Sequence, residues 1–352
     1  MIRFVLLFLL SLALSSQAVA RKTTFSDKDG KIIEFSSYMG SDLWGSKGDK
    51  IQAHGILYMP EKASPSNPVP LAIIIPGLGG QRGRDNRICQ MLSENGIACF
   101  GVRTYASRNA PHRAKSSEKF RVGGAGSRLH DAYGALEKLA KEPNIDPKNI
   151  WHLGFSLGGF NSALALDATL TAPFQLSELD FAGFISLYGP CVLTSSEKLK
   201  PTRFYAFIGT ADAGYNKDEC NAFITSLKTR GVDAAITVFE GSQFRRIGHM
   251  WDYMQSATGD WHGKPEGPWK LGQNNRNWPM HGVTLMGCKF LVRPESKEIS
   301  ANNEKMANLD DNKAWEFLIK SCGTTDSVRT TNHKVTKSVD KEIVSIISRY
   351  NK

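Results

Sequence analysis

Serine, histidine and aspartate side chains together can cleave an ester without metal or cofactor. The hydroxyl attacks, the imidazole takes its proton, and the carboxylate holds the imidazole in the right tautomer. The stretch Gly154-Phe155-Ser156-Leu157-Gly158-Gly159 offers a serine for the first role. It reads G-x-S-x-G with an extra glycine. A glycine-rich turn can carry such a serine by accident, so the flanks decide. Asn149 to Leu153 runs in as a short buried-strand pattern, and Phe160 to Leu166 runs out as a helix rich in small residues. A serine on so sharp a strand-to-helix turn has its hydroxyl clear of the backbone, at the positive end of the next helix. Glycines are required because a Cβ there would strike the neighbouring strand or helix.

In sites of this kind the partners follow in the order serine, acid, histidine. Of the eight histidines, His54, His112, His130 and His152 precede Ser156 and drop out. His249, His262, His281 and His333 remain. His249 lies nearest the end of the last expected strand at Phe239 and is the base we assign, with His281 its main rival and His262 a weaker one. Asp212, in Gly209-Thr210-Ala211-Asp212 just past a strand, is the acid, although a turn-capping aspartate would favour the same place. The tetrahedral intermediate needs two donors aimed at its oxyanion. The N–H of Leu157 supplies one and the N–H of Leu78, in the turn after Leu71 to Ile75, the other.

These groups need a scaffold. Leu71-Ala72-Ile73-Ile74-Ile75 is a continuous apolar run suited to a central parallel strand. Strand patterns recur at 51–58, 97–102, 149–153, 181–188, 204–209 and 234–239. Phe25 to Phe35 carries Asp29-Gly30 as a hairpin turn signal. Helical patterns lie at Asp85 to Glu94, stopped by Asn95-Gly96, and at Ser127 to Lys141 with Ser127 as N-cap. Others lie at Asp218 to Arg230, closed by Gly231, and Val335 to Tyr350. Residues 103–126 read as a long loop. The alternation predicts a mostly parallel sheet with helices on both faces. Residues 251–332 break that rhythm and are too long for an ordinary connection, so they read as an insertion over one end of the sheet.

Length and composition fit a single globular domain at 21–352, with 41% hydrophobic residues over 352 positions. Met1-Ile2-Arg3, an apolar run from Phe4 to Leu14, and Ala18-Val19-Ala20 read as a secretory signal over residues 1–20. The apolar run is short for a membrane span, so no stable membrane insertion is expected after cleavage. Export to a periplasmic or secreted location allows disulfides among the six cysteines, but spacing selects no pairing. The net charge of +10 is scattered, with no basic helix, and argues for a solvated surface rather than a nucleic-acid partner.

At this point the chain resembles the dienelactone hydrolase-like branch of the α/β-hydrolase superfamily. The likeness runs from about Gly55 onward. Its core is Asp131 to Leu136, Asn144-Ile145-Asp146-Pro147-Lys148-Asn149-Ile150, and Gly154 to Gly159. Thr104 to Arg108 is similar to the segment after the fourth strand, where the family usually has an acidic residue in the place of Arg103. The resemblance implies an α/β-hydrolase fold and supports Asp212. Leu187-Tyr188-Gly189-Pro190-Cys191 and Gly209 through Cys220 resemble an exported subgroup, which implies a Cys191–Cys220 bridge. By the same likeness Cys288 and Cys322 pair, while Cys89 and Cys99 look like reduced core positions. The namesake enzymes carry cysteine at the elbow. Ser156 instead favours general esterase chemistry.

No C-x-x-C, H-E-x-x-H or phosphate-loop pattern is present, and Gly123-Gly124-Ala125-Gly126 lacks dinucleotide spacing. The expectation is therefore an exported serine hydrolase acting on a small-molecule ester or lactone, with no cofactor and no catalytic metal. A catalytically silent fold used for binding and a peptidase with the same triad are the alternatives. Trp251, Trp261, Trp269 and Trp278 fit either an aromatic substrate wall or the pinning of a long loop.

Overall fold

The computed structural model describes residues 26–40, 47–81, 83–110, 122–189, 191, 198–210, 217–240, 283–285, 288–291 and 333–350. Outside these ranges lie residues 1–20, read above as a secretory signal, most of 251–332, the four tryptophans of that stretch, Cys322, Asp212, His249, His262 and His281.

In chain order the strands of the main sheet are β1 (Lys31–Gly40), β2 (Lys47–Tyr58), β3 (Val69–Ile75), β4 (Ala98–Val102), β5 (Ile145–Phe155), β6 (Gly183–Leu187), β7 (Arg203–Gly209) and β8 (Asp233–Phe239). The helices are α1 (Gly83–Glu94), α2 (Ala125–Leu139), α3 (Leu157–Leu164), the short α4 (Ala168–Thr171), α5 (Lys217–Thr229) and α6 (His333–Arg349). A separate antiparallel pair is formed by β9 (Val283–Leu285) and β10 (Cys288–Leu291).

The sheet order is β1-β2-β4-β3-β5-β6-β7-β8. β2 runs antiparallel to β1 and β4, and from β4 to β8 all neighbours are parallel. β3 shows why the chain folds this way. All its residues are buried. Leu71, Ile73 and Ile75 enter one apolar cluster, Ala72 and Ile74 the other, as the two-residue period of a strand demands. α2, α3 and α5 cover the first face through Leu129, Leu136, Phe160 and Phe223. α1 and α6 cover the second through Leu92, Ile343 and Ile347. Arg87 of α1 forks onto Asp340 of α6 at 2.6 and 3.0 Å. This is the α/β-hydrolase architecture.

Three local expectations are corrected. Asp29-Gly30 is no hairpin turn. Asp29 instead closes a single 3-10 turn at Asp27–Asp29 through a capping box with Ser26, and β1 starts after it. Ser127 does not cap α2. The N-cap is Gly124, and Ser127 is buried inside the helix. Cys89 and Cys99 are bridged rather than reduced. Asn95 and Gly96 turn the chain so tightly that α1 folds back along β4, bringing the two Cα atoms to 5.1 Å. Gly96 takes φ +77, which suits glycine. Cys191 and Cys220 are bridged as the resemblance implied. The Cys288–Cys322 pairing lies outside the described residues.

Candidate active site

β5 ends at Phe155 and α3 begins at Leu157, so Ser156 alone makes the turn between them. It sits at φ 53 and ψ −111, a conformation that costs a residue with a side chain about 1–3 kcal/mol. The surroundings hold it there. Its N–H donates to the Leu187 carbonyl at 2.9 Å, and its own carbonyl accepts from the Phe160 N–H at 2.8 Å. The hydroxyl does not cap α3. Ser156 is 9% exposed. The glycines around it are there for space. A Cβ on Gly154 would stand 1.9 Å from the Gly158 carbonyl oxygen, and one on Gly158 would stand 2.1 Å from the Ile75 carbonyl oxygen.

That last contact also locates the second loop. The start of α3 rests directly on the end of β3, where Pro76-Gly77-Leu78-Gly79-Gly80 turns the chain. The Gly80 N–H closes this turn on the Gly77 carbonyl at 2.9 Å. Neither the Leu78 N–H nor the Leu157 N–H has an acceptor among the described residues. For Leu157 this follows from its place in the first turn of a helix.

The carbonyls of the same turn are held from behind. Arg128 of α2 donates to the Pro76 carbonyl and to the Gly77 carbonyl, both at 3.0 Å. It also donates to the Tyr105 hydroxyl at 3.0 Å, and that hydroxyl donates to the Leu78 carbonyl at 2.8 Å. Tyr105 is wedged between glycines, since a Cβ on Gly80 or Gly123 would fall within 2.8 or 2.6 Å of its ring. Next to it Arg103, standing where an acidic residue was expected, ion-pairs with Asp27. Arg108 pairs through both nitrogens with Asp131 and donates to the Tyr38 carbonyl, which anchors the segment after β4 to α2 and β1. Between the two loops opens a cavity of about 350 Å³, lined by Gly79, Gly80, Gln81, Asn86, Arg103 and Tyr105.

The histidines set aside on grounds of order have packing roles where they are described. His54 meets the Ser107 hydroxyl, His130 stacks between Tyr38 and Phe174, and His152 is buried in β5. His333 is the first residue of α6. Asp212 and His249 lie outside the described residues, as do the rivals His262 and His281. The chain does enter residues 211–216 beside the end of β8, because the Thr210 N–H donates to the Phe239 carbonyl at 3.0 Å. Arg128 is the site residue that sequence reading missed. It precedes Leu129 on a helix with an apparent polar face, but at this end α2 is buried all round, including Ser127, Arg128, His130 and Asp131. The run Gly123-Gly124-Ala125-Gly126 was the available signal, since it lets the helix start press against its neighbours.

The dienelactone hydrolase family matches residues 54–258, more than half of the chain. The chain belongs to the dienelactone hydrolase family. Its fold and its carboxylic ester hydrolase class follow from that membership. Among solved structures it is similar to esterase 2 of the planctomycete Thermogutta terrifontis. The native form is 16% identical with a TM-score of 0.45, over 62% of this chain and 83% of that one. The apo form is 17% identical with a TM-score of 0.44, over 62% and 85%. The butyrate-bound form is 16% identical with a TM-score of 0.44, also over 62% and 85%. No curated protein matches this dienelactone hydrolase family member.

Proposed function

We propose that this protein is an exported serine hydrolase that cleaves carboxylic esters or lactones through an acyl-enzyme. Ser156 is the nucleophile, His249 the base and Asp212 the residue that orients His249. As Ser156 Oγ bonds to the substrate carbonyl carbon, its proton passes to the imidazole. The resulting oxyanion takes hydrogen bonds from the Leu78 and Leu157 N–H groups. Collapse expels the alcohol, which leaves with the proton from His249. Water then gives a proton to His249 and attacks the acyl-enzyme, and the acid departs as Ser156 regains its hydrogen.

The observation that carries this reading is the turn at Ser156. A residue held at φ 53 between a parallel strand and a helix, followed by a helix-start N–H at Leu157 with no acceptor among the described residues, is a costly arrangement that packing alone does not call for. Export is supported by two disulfides among the described residues, which suit an oxidising compartment, and by the N-terminal pattern over residues 1–20. We assign residues 251–332, between β8 and α6, to substrate selection as an insertion within the single domain 21–352.

Labelling the folded mature protein with a fluorophosphonate probe tests the proposal. The expected result is one adduct on Ser156, absent in Ser156→Ala. Turnover of a short p-nitrophenyl ester that is no faster in wild type than in Ser156→Ala would overturn it.

A further inference from the structure

We propose that Arg128 is a positioning residue that aims the Leu78 N–H at the reacting oxyanion. This rests on the reading of Leu78 as an oxyanion donor.

The argument begins with two buried guanidiniums on neighbouring elements. Arg108 and Arg128 are 7% and 0% exposed. Arg108 has the partner expected of a buried cation, the Asp131 carboxylate, at 2.9 Å from both of its terminal nitrogens. Arg128 has no ion pair among the described residues. Its donors go to the carbonyls of Pro76 and Gly77, to the Tyr105 hydroxyl, and more distantly to the Gly124 carbonyl at 3.5 Å. A buried cation matched only by dipoles is a poor choice for stability. It is a good choice for fixing the direction of a backbone.

The direction follows from peptide geometry. In a trans peptide the C=O of one residue and the N–H of the next point opposite ways. No cis peptide bond occurs among the described residues. Arg128 draws the Gly77 carbonyl toward α2, so the Leu78 N–H must point away from α2. The Leu78 carbonyl is drawn by Tyr105, which Arg128 holds in turn, so the far side of the same residue is fixed as well. Rotating the peptide between Gly77 and Leu78 would break a charge-assisted bond and bury an unmatched cation. The N–H therefore reaches the transition state already aimed, which is what makes such a donor effective.

The test uses Arg128→Met, Arg128→Lys and Tyr105→Phe in the full mature protein. The first readout is independent of activity: amide ¹H–¹⁵N signals and hydrogen exchange of Gly77, Leu78 and Gly79. In Arg128→Met these should shift and exchange at least tenfold faster while β5 and β6 amides stay protected. Unchanged Leu78 signals overturn the proposal whether or not the protein is an esterase. The second readout is kinetic. In Arg128→Met kcat should fall roughly 100-fold with KM within threefold. The preference for an ester over its thionoester should shrink, because sulfur accepts hydrogen bonds more weakly than oxygen and that difference counts most where the donors are well aimed. Arg128→Lys should recover part of both. Tyr105→Phe removes a single hydroxyl and should show the same signature at roughly tenfold, which serves if Arg128→Met does not fold. A fall in kcat with an unchanged ester-to-thionoester ratio would make Arg128 a packing residue only. Shifted Leu78 amides in a protein that hydrolyses no ester would sink the esterase reading, and with it the catalytic purpose of the arginine, while leaving its hold on the Gly77–Leu78 peptide demonstrated.

Discussion

The hydroxyl of Ser162 lies 2.9 Å from Nδ1 of His152, one turn into the helix behind the elbow. This is a serine and a histidine in hydrogen-bond contact a few residues from the candidate nucleophile, yet both are fully buried. Phe181 and Phe184 pack against the imidazole. Burial lowers the His152 pKa to about 3, with the nearby Lys200 charge a smaller cause in the same direction. The imidazole is neutral in the fold and seals the underside of the active-site strand.

That neutrality makes stability depend on pH. His152 titrates near 6.5 when unfolded and near 3 when folded. Its contribution is fully present above pH 6.5. Below that the unfolded chain binds a proton that the folded chain refuses, and stability falls by about 1.4 kcal/mol per pH unit toward pH 3. Urea midpoints between pH 7 and 4.5 should drop steeply in wild type and less steeply in His152→Phe. Parallel slopes in the two proteins would refute this.

Strain at the elbow predicts a trade of activity for stability. Ser156→Gly removes the side chain from a backbone at φ 53 and should raise unfolding free energy by about 1 kcal/mol while abolishing turnover. Ser156→Ala should be as inactive but no more stable than wild type. Denaturant melts of the three proteins compare them directly.

Two glycines should lose stability to alanine for different reasons and by different amounts. At Gly158 the added Cβ meets backbone at 2.1 Å, so Gly158→Ala should cost about 3 kcal/mol or more and displace Ser156. At Gly96 nothing lies within 4 Å, and only the left-handed φ of +77 is penalised, so Gly96→Ala should cost about 1 kcal/mol and leave kcat alone. Thermal melts and ester kinetics on both variants check this.

The two disulfides should differ in their weight. The Cys191–Cys220 bridge spans 29 positions and the Cys89–Cys99 bridge 10. Loop closure makes the first worth about 3.6 kcal/mol and the second about 2.7. Removing Cys191–Cys220 should also slow turnover, because it ties the chain after β6 to α5, just beyond the segment that carries Asp212. Paired alanine variants, measured for urea midpoint and kcat, test both statements.

The base is resolved by single substitutions. His249→Ala should lose at least 10³-fold in kcat, while His281→Ala and His262→Ala should remain within tenfold of wild type. A loss confined to His281→Ala would move the base to that residue.

What could be read from the chain depended on whether the signal was local. Leu71 to Ile75 announces a strand covered on both faces because every residue is apolar. Ser156 announces an elbow because strand, glycines and helix are contiguous. Cys89 and Cys99 were misread because their pairing depends on how closely α1 lies along β4, which the two residues do not encode. Arg128 was missed for a similar reason. Its role is set by the carbonyls of Pro76 and Gly77, distant in sequence and invisible to any helical pattern. Asp29-Gly30 shows the reverse case, a strong turn signal used by Ser26 for a different turn.

One bond at the far edge of the sheet bears on how this enzyme can diversify. Thr237 of β8 donates to Glu342 of α6 at 3.0 Å. The chain thus departs after β8 and comes back as a helix fastened to that same strand. Both junctions of the intervening segment, the one that leads to His249 and the one that enters α6, are thus tied to β8. Changes of length or sequence confined to 251–332 should therefore leave both the sheet that presents Ser156 and the approach to His249 in place, so substrate range can drift at one margin of the molecule while the reacting groups stay as they are.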